Sequence, residues 1–306
     1  MNAPALDIVN APQRRRVRAG VVAQFVALSL IWGSTWLVIK DQIGVVPVEW
    51  SVSYRFLIAG GAMALLCVVL RKSLVLPVAA HGLALLIAMS QFLLNFNLVY
   101  RSELYLTSGL VALIFSLIVI PNTILARVFL GQRIAPAFVV GSAIGIGGVA
   151  LLVGRDLDLK GADIGLGLGL ACAAVLCASM GNVIQATRRA RALPLEGLLA
   201  WSLTYGGLLS AAVAWVVTGP PQFDARPSYA VGLIYLALIA STLAFRLYYA
   251  MIREIGPGRA AYVNVIVPLV AMSLSTLFEG FVWTWGAALG GCLALAGLVI
   301  ALRSRA

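Results

Sequence analysis

Residues 47–70 read PVEWSVSYRFLIAGGAMALLCVVL: a Pro-Val-Glu opening, then an apolar run over 50–70 broken by a single charge, Arg55. About 20 apolar residues wound as a helix cross the roughly 30 Å of a bilayer's hydrocarbon core. A barrel strand needs only about ten residues, alternating in character. The length and the lack of alternation therefore select a transmembrane helix. Nine further runs of comparable character lie at 20–39, 78–100, 104–130, 136–153, 164–186, 197–217, 230–250, 258–279 and 285–302. The expected fold is an all-α membrane protein of ten transmembrane helices joined by short loops.

Composition agrees. Of 306 residues 62% are hydrophobic and 11% charged, and the mean hydropathy is +1.01, far from the balance of a soluble domain. A net charge of +11 would suggest nucleic acid in a soluble protein. Here the cations stand in small groups between apolar runs, a distribution that reads as topology and contact with anionic lipid, with no nucleic acid partner. Cys67, Cys172, Cys177 and Cys292 all fall inside apolar runs without CxxC spacing or histidine company. Neither a metal centre nor a disulfide framework is indicated, and no cofactor.

With a cytoplasmic N-terminus, 15 of the 22 Lys and Arg residues face the cytoplasm and five (Lys40, Arg101, Arg155, Lys160, Arg226) face outward, with Arg55 and Arg246 inside spans. That bias is the positive-inside pattern, and an even span count returns the C-terminus to the cytoplasm. Residues 1–19 read as a cytoplasmic tail. Arg14 to Arg18 precede a stretch too long for a signal peptide, with Trp32 and Trp36 where a cleavage site would need small residues, so the first span is retained.

The opening of the quoted stretch recurs. Pro47-Val48-Glu49 matches Pro194-Leu195-Glu196, 147 positions later, and Pro121 matches Pro268 at the same shift. Leu130-Gly131-Gln132 matches Leu277-Phe278-Glu279 more loosely, and Phe96 through Tyr100 matches Phe245 through Tyr249 at a shift of 149. The chain thus divides into repeats at 20–153 and 164–303. Five spans is an odd number, so the second repeat enters the membrane inverted, the arrangement many secondary transporters build around a midplane site.

Three segments carry a family resemblance. Ile31-Trp32-Gly33-Ser34-Thr35, Tyr54-Arg55-Phe56-Leu57-Ile58-Ala59, and Pro121 followed by Phe129-Leu130-Gly131-Gln132-Arg133 resemble, in order, the signatures of the EamA-type drug/metabolite transporters, over about residues 20–303. Gln132 replaces the family's usual glutamate, and Ser202 stands at the repeat position of Arg55. The resemblance implies two inverted five-helix halves around a central cavity, with the fifth and tenth helices peripheral. It also implies a small-molecule substrate, amino acids being the class of closest general likeness.

Candidate substrate-binding residues follow from polarity and aromaticity inside spans. Gln91 and Asn95 are four apart and share a helix face; Asn182 and Asn264 are isolated amides, with Gln185, Ser241 and Thr242 as weaker cases. Trp32, Tyr54, Trp201, Tyr205 and Tyr262, with Tyr248 and Tyr249, supply aromatic surface, although Trp and Tyr also collect at membrane interfaces. Arg55 and Arg246 lie about one turn inside span ends, and a charge in the bilayer centre costs about 2.5–3.5 kcal/mol, so each is a candidate gate contact or anion partner. Gly33, Pro121, Gly181 and Pro268 are candidate hinges, whereas Gly141, Gly145, Gly148, Gly286, Gly290 and Gly297 suit close packing.

The glutamates sit near span ends, His81 is the only histidine, and no Walker lysine motif is present. The expectation is downhill or exchange export of a small metabolite by alternating access. Enzymatic activity is not expected, since no acid pair or Ser/His constellation shares one depth. A flippase for lipid-linked groups, or a multi-helix protein without transport, remains the alternative. Membrane lipid is the other expected partner, and no oligomeric state follows.

Overall fold

A computed structural model describes residues 10–131, 134–156, 162–255, 260 and 263–303. Among them the chain is helical throughout, with one isolated bridge between Ile43 and Val46 and no strand. The helices are α1 (Asn10–Gln42), α2 (Val48–Val69), α3 (Val78–Ser102), α4 (Ser108–Leu130), α5 (Pro136–Asp156), α6 (Ala162–Ala186), α7 (Leu195–Thr218), α8 (Pro227–Ile255), α9 (Val263–Phe278) and α10 (Trp285–Arg303). Seven of them are long and apolar enough to cross a membrane; the apolar parts of α5, α9 and α10 are shorter, at 10–17 residues. Large apolar side chains such as Val75, Val78, Val216 and Trp285 stand almost fully exposed, which suits lipid and not water.

Proline and glycine set the helix ends. Pro47, Pro77 and Pro194 occupy the N-cap positions of α2, α3 and α7 in extended conformation, where their missing N–H costs nothing. Gly131 closes α4 with a φ of 69°, a left-handed turn that a side chain would strain. Inside α4, the helix breaks between Ser116 and Val119. The bonds there are of the tighter i→i−3 kind, Leu117 N–H to Ile114 and Ile118 N–H to Phe115. Pro121 is the cause: its ring crowds the carbonyl of Leu117 and offers no donor to it.

α3 and α8 each contain a π-helical segment, Ala88–Leu94 and Tyr235–Leu243. The two begin 147 residues apart, the spacing of the Pro-Leu/Val-Glu repeat. The wider turn shifts the side-chain register within one helix, and it turns Gln91 and Ser241 inward.

Packing treats the two halves alike. α2 lies against α7, α5 against α10 and α4 against α9; α1 contacts α8 and α9, while α6 contacts α3 and α4. Exchanging the halves leaves this pattern unchanged. α2 and α7 run antiparallel: Trp50 at one end donates to the carbonyl of Gly219, and Trp201 at the other donates to that of Leu74. α5 and α10 meet through glycine. A Cβ on Gly148 would strike the backbone of Ala294 and Gly290, and one on Gly297 the backbone of Gly145 and Gly141.

Candidate functional site

A cavity of about 760 Å³, counting its open mouth, lies between α1, α2, α3, α4, α6, α8 and α9. Its walls are aromatic and aliphatic, with Trp32, Trp36, Phe96, Phe115, Phe245 and Tyr248 among them. Trp32 crosses between halves, donating its indole N–H to the carbonyl of Ala240 at 3.3 Å, and packs edge-on to Phe245 and Tyr248.

Into this wall α2 places Arg55, which is 1% exposed. Its Nε donates to Ser241 Oγ at 2.9 Å, and the guanidinium lies 4.5 Å from the Phe96 ring centre. Nη1 meets no acceptor, and among the described residues Arg55 belongs to no ion pair. A buried cation held by the Ser241 and Tyr100 hydroxyls and two ring faces is short of an anion.

Two amide side chains line the same space. Gln91 and Asn95 are buried and line the cavity; Asn95 Nδ2 donates to the Gln91 carbonyl at 3.2 Å, while Gln91 Oε1 and Asn95 Oδ1 are unpartnered. Asn182, Asn264 and Pro268 complete the lining. Pro268 leaves the carbonyl of Asn264, four residues back, without its helical donor. Gly181 lets α6 approach α3: a Cβ there would stand 2.7 Å from Gln91 Oε1. Gly33 similarly faces Val270 of α9, 2.5 Å from where its Cβ would be. Pro121 sits beside the break in α4 and is not part of the lining.

Tyr54, Trp201 and Tyr205 also lie outside the lining. Tyr54 stacks between Trp50 and Phe223 and donates to the Gln222 carbonyl. Trp201 and Tyr205 surround His81, whose Nδ1 is 2.8 Å from the Tyr205 hydroxyl. In each case a loop or helix-end partner takes the polar tip of the ring. Tyr262 falls outside the described residues. Arg246, about a third exposed, pairs with Glu196 at 3.1 Å, and Arg101 pairs with Glu49. The two pairs mark opposite ends of the bundle, each joining the second and third helices of one half.

The Glu49 end holds a group that the sequence reading set aside. Glu103 is wholly buried, and neither of its carboxylate oxygens has a partner among the described residues. Its position just past α3 suggested a solvated span end. Packing of Lys40 over the Glu103 and Leu106 carbonyls covers it instead. The expectation of downhill or exchange transport rests on the lack of a midplane carboxylate; Glu103 lies at the end of α3, near a span end, but is buried there.

Comparison with known proteins places this arrangement. The family model described as the EamA-like transporter family matches the chain twice, over residues 20–154 and 165–303. The protein PagO of Salmonella typhimurium is 23% identical over 257 residues, 84% of each chain. The uncharacterized inner membrane transporter YedA of Escherichia coli K12 is 28% identical over 262 residues, 83% of this chain and 81% of that one. A chain of known crystal structure superposes with a TM-score of 0.68 at 18% identity, covering 93% of this chain and 97% of its own.

Proposed function

The chain belongs to the EamA-like transporter family, and on that premise we propose that it exports small zwitterionic metabolites, amino acids being the substrate class, by alternating access. Family membership makes it a multi-pass membrane transporter. The amino-acid reading is carried by one observation: an anion-deficient Arg55 shares a cavity with two unpartnered amide oxygens, Gln91 Oε1 and Asn95 Oδ1. A substrate carboxylate satisfies the first and a substrate ammonium the second, while Trp32, Phe96 and Phe245 accept an apolar side chain.

In this reading ten spans form two inverted five-helix halves with both termini in the cytoplasm. The antiparallel course of α2 and α7, the exchange-invariant packing and the loop charge bias support it. The hinge roles go to Pro121, Pro268, Gly33 and Gly181, and the ion pairs Glu49–Arg101 and Glu196–Arg246 become gate contacts of opposite faces.

The test is a counterflow panel in proteoliposomes with amino acids, purines and sugar phosphates. Amino-acid exchange is expected, with Arg55→Lys impaired and Arg55→Gln reduced roughly 10- to 150-fold in apparent affinity, the weight of a hydrogen bond to a charged group at about 1.5–3 kcal/mol. Silence toward every solute, alongside translocation of a lipid-linked group, would replace this reading with the flippase alternative.

A further inference from the structure

On α3 the cavity lining ends at Val99, and Glu103 follows about one turn further on, at the helix end and outside the lining. Its carboxyl is 0% exposed, at the C-terminus of α3, with both oxygens unpartnered. The charged and titratable groups about it come from three helices and the segment that follows α9. Lys40 of α1 gives its ammonium to the backbone carbonyls of Glu103 and Leu106. Arg55 of α2 gives Nε to Ser241, and Tyr100 of α3 donates its hydroxyl to Gln42 at 3.1 Å. Glu279, beyond the end of α9, accepts from the Ser108 N–H and hydroxyl and brings a second negative charge.

A carboxylate closed off without donors loses its hydration and gains no hydrogen bond in exchange, a cost of several kcal/mol; such a group takes up a proton instead. Burial holds the Glu103 carboxyl well above the usual carboxylate range; Lys40 and Arg55 oppose this and Glu279 reinforces it.

We propose that Glu103 is a proton-binding site, and that its protonation is the condition for closing the Glu49 end of the bundle. Opening that end admits water, frees Lys40 from its carbonyls to face the carboxylate, and releases the proton to solvent. Closing it again requires the proton to return. No bond other than O–H is made or broken. The nearby Lys40 ammonium opposes a metal cation at the same place. Arg55 of the cavity wall interacts electrostatically with Glu103, so proton binding and the charge facing the cavity are linked, and the transport cycle is proton-coupled. That last step rests on the transport reading; the proton site itself does not.

The sign follows from the raised affinity for the proton. The closed end is favoured below the pKa of buried Glu103 and loses that support as pH rises through it. In proteoliposomes of the full-length protein, dicyclohexylcarbodiimide reacts with protonated carboxyls in apolar surroundings. Peptide mass analysis should find Glu103 labelled near neutral pH, the ion-paired Glu49 and Glu196 unlabelled, and Glu103 labelling falling as pH rises. In a second arm, alkylation of Leu106→Cys by an impermeant maleimide, read on the residue-106 peptide, should speed up several-fold over the same rise. In Leu106→Cys with Glu103→Gln it should stay slow at every pH, because glutamine reproduces the neutral acid.

Unlabelled Glu103 at neutral and acidic pH overturns the proposal, and so does pH-dependent opening that persists in Glu103→Gln. The carbodiimide arm uses the unaltered chain, so a misfolded variant cannot mask the answer. If labelling and gating hold but no amino acid moves, the substrate reading alone is lost. If amino acids exchange while Glu103 stays unlabelled, the proton site alone is lost.

Discussion

Arg55 concentrates the physics of the cavity. A guanidinium that is 1% exposed has left water, and what replaces the water is the Ser241 and Tyr100 hydroxyls and the faces of Phe56 and Phe96. Removing a partner from such a group is more damaging than removing a surface pair. Ser241→Ala takes away the acceptor of its Nε and should lower thermal stability in detergent, while counterflow of a carboxylate substrate weakens less than in Arg55→Gln. At the other end, Glu196→Gln breaks the pair with Arg246, which is about a third exposed. The expected stability change is within about 1 kcal/mol, so a transport defect in that variant would register gating and not folding. A thermal shift assay beside counterflow separates the two. The sequence marked Arg55 because a charge inside an apolar run is costly wherever it points. It could not mark Ser241 as the partner, since that pairing spans 186 positions.

At the scale of helices, irregularities carry the design. α3 and α8 are each opened by a π segment, and Thr242 ties one of them together, its hydroxyl donating to the carbonyls of Ala237, five residues back, and of Ala59 on α2. Thr242→Val should cost about 1 kcal/mol, the net worth of an intramolecular hydrogen bond, and reduce counterflow by loosening the segment that presents Ser241. Pro121→Ala supplies an i→i−4 donor to the Leu117 carbonyl, which now accepts only the tighter bond from Ile120 N–H. The melting temperature should rise and turnover should fall if the α4 break flexes during transport; an unchanged turnover would leave Pro121 a purely structural feature. In α10, Gly297→Val drives a side chain into the backbone of Gly145 and should destabilise by about 1–3 kcal/mol. Gly291→Ala, which enters open space, should be neutral. Proline and glycine were legible in the sequence because their backbone chemistry is local. The π segments were not, since nothing in Ala88–Leu94 or Tyr235–Leu243 distinguishes them from ordinary apolar helix.

For the molecule as a whole, the halves pack through corresponding helices, α2 on α7 and α5 on α10. The proposed inverted arrangement predicts that reporters fused to either terminus are active only on the cytoplasmic side, and that an impermeant thiol reagent reaches cysteines placed in residues 219–226 from outside and in 187–194 from inside. Reversed access, with 219–226 reached from inside and 187–194 from outside, would remove the inversion. Length and apolarity of the runs, the repeat at 147 positions and the division into halves were determined by the sequence alone, because each is a property of residues close along the chain or of simple correspondence between two stretches. Tertiary structure decided what those properties leave open. Gln91, Asn95, Asn182 and Asn264 converge on one cavity with Trp32 and Arg55, while Tyr54, Trp201 and Tyr205 turn to loop and helix-end partners. Glu103, by sequence a residue at a span end, becomes a carboxyl without solvent. The reason is the same for both: facing and burial depend on how seven helices fit around a shared space, and that fit is set by contacts between residues far apart in the chain.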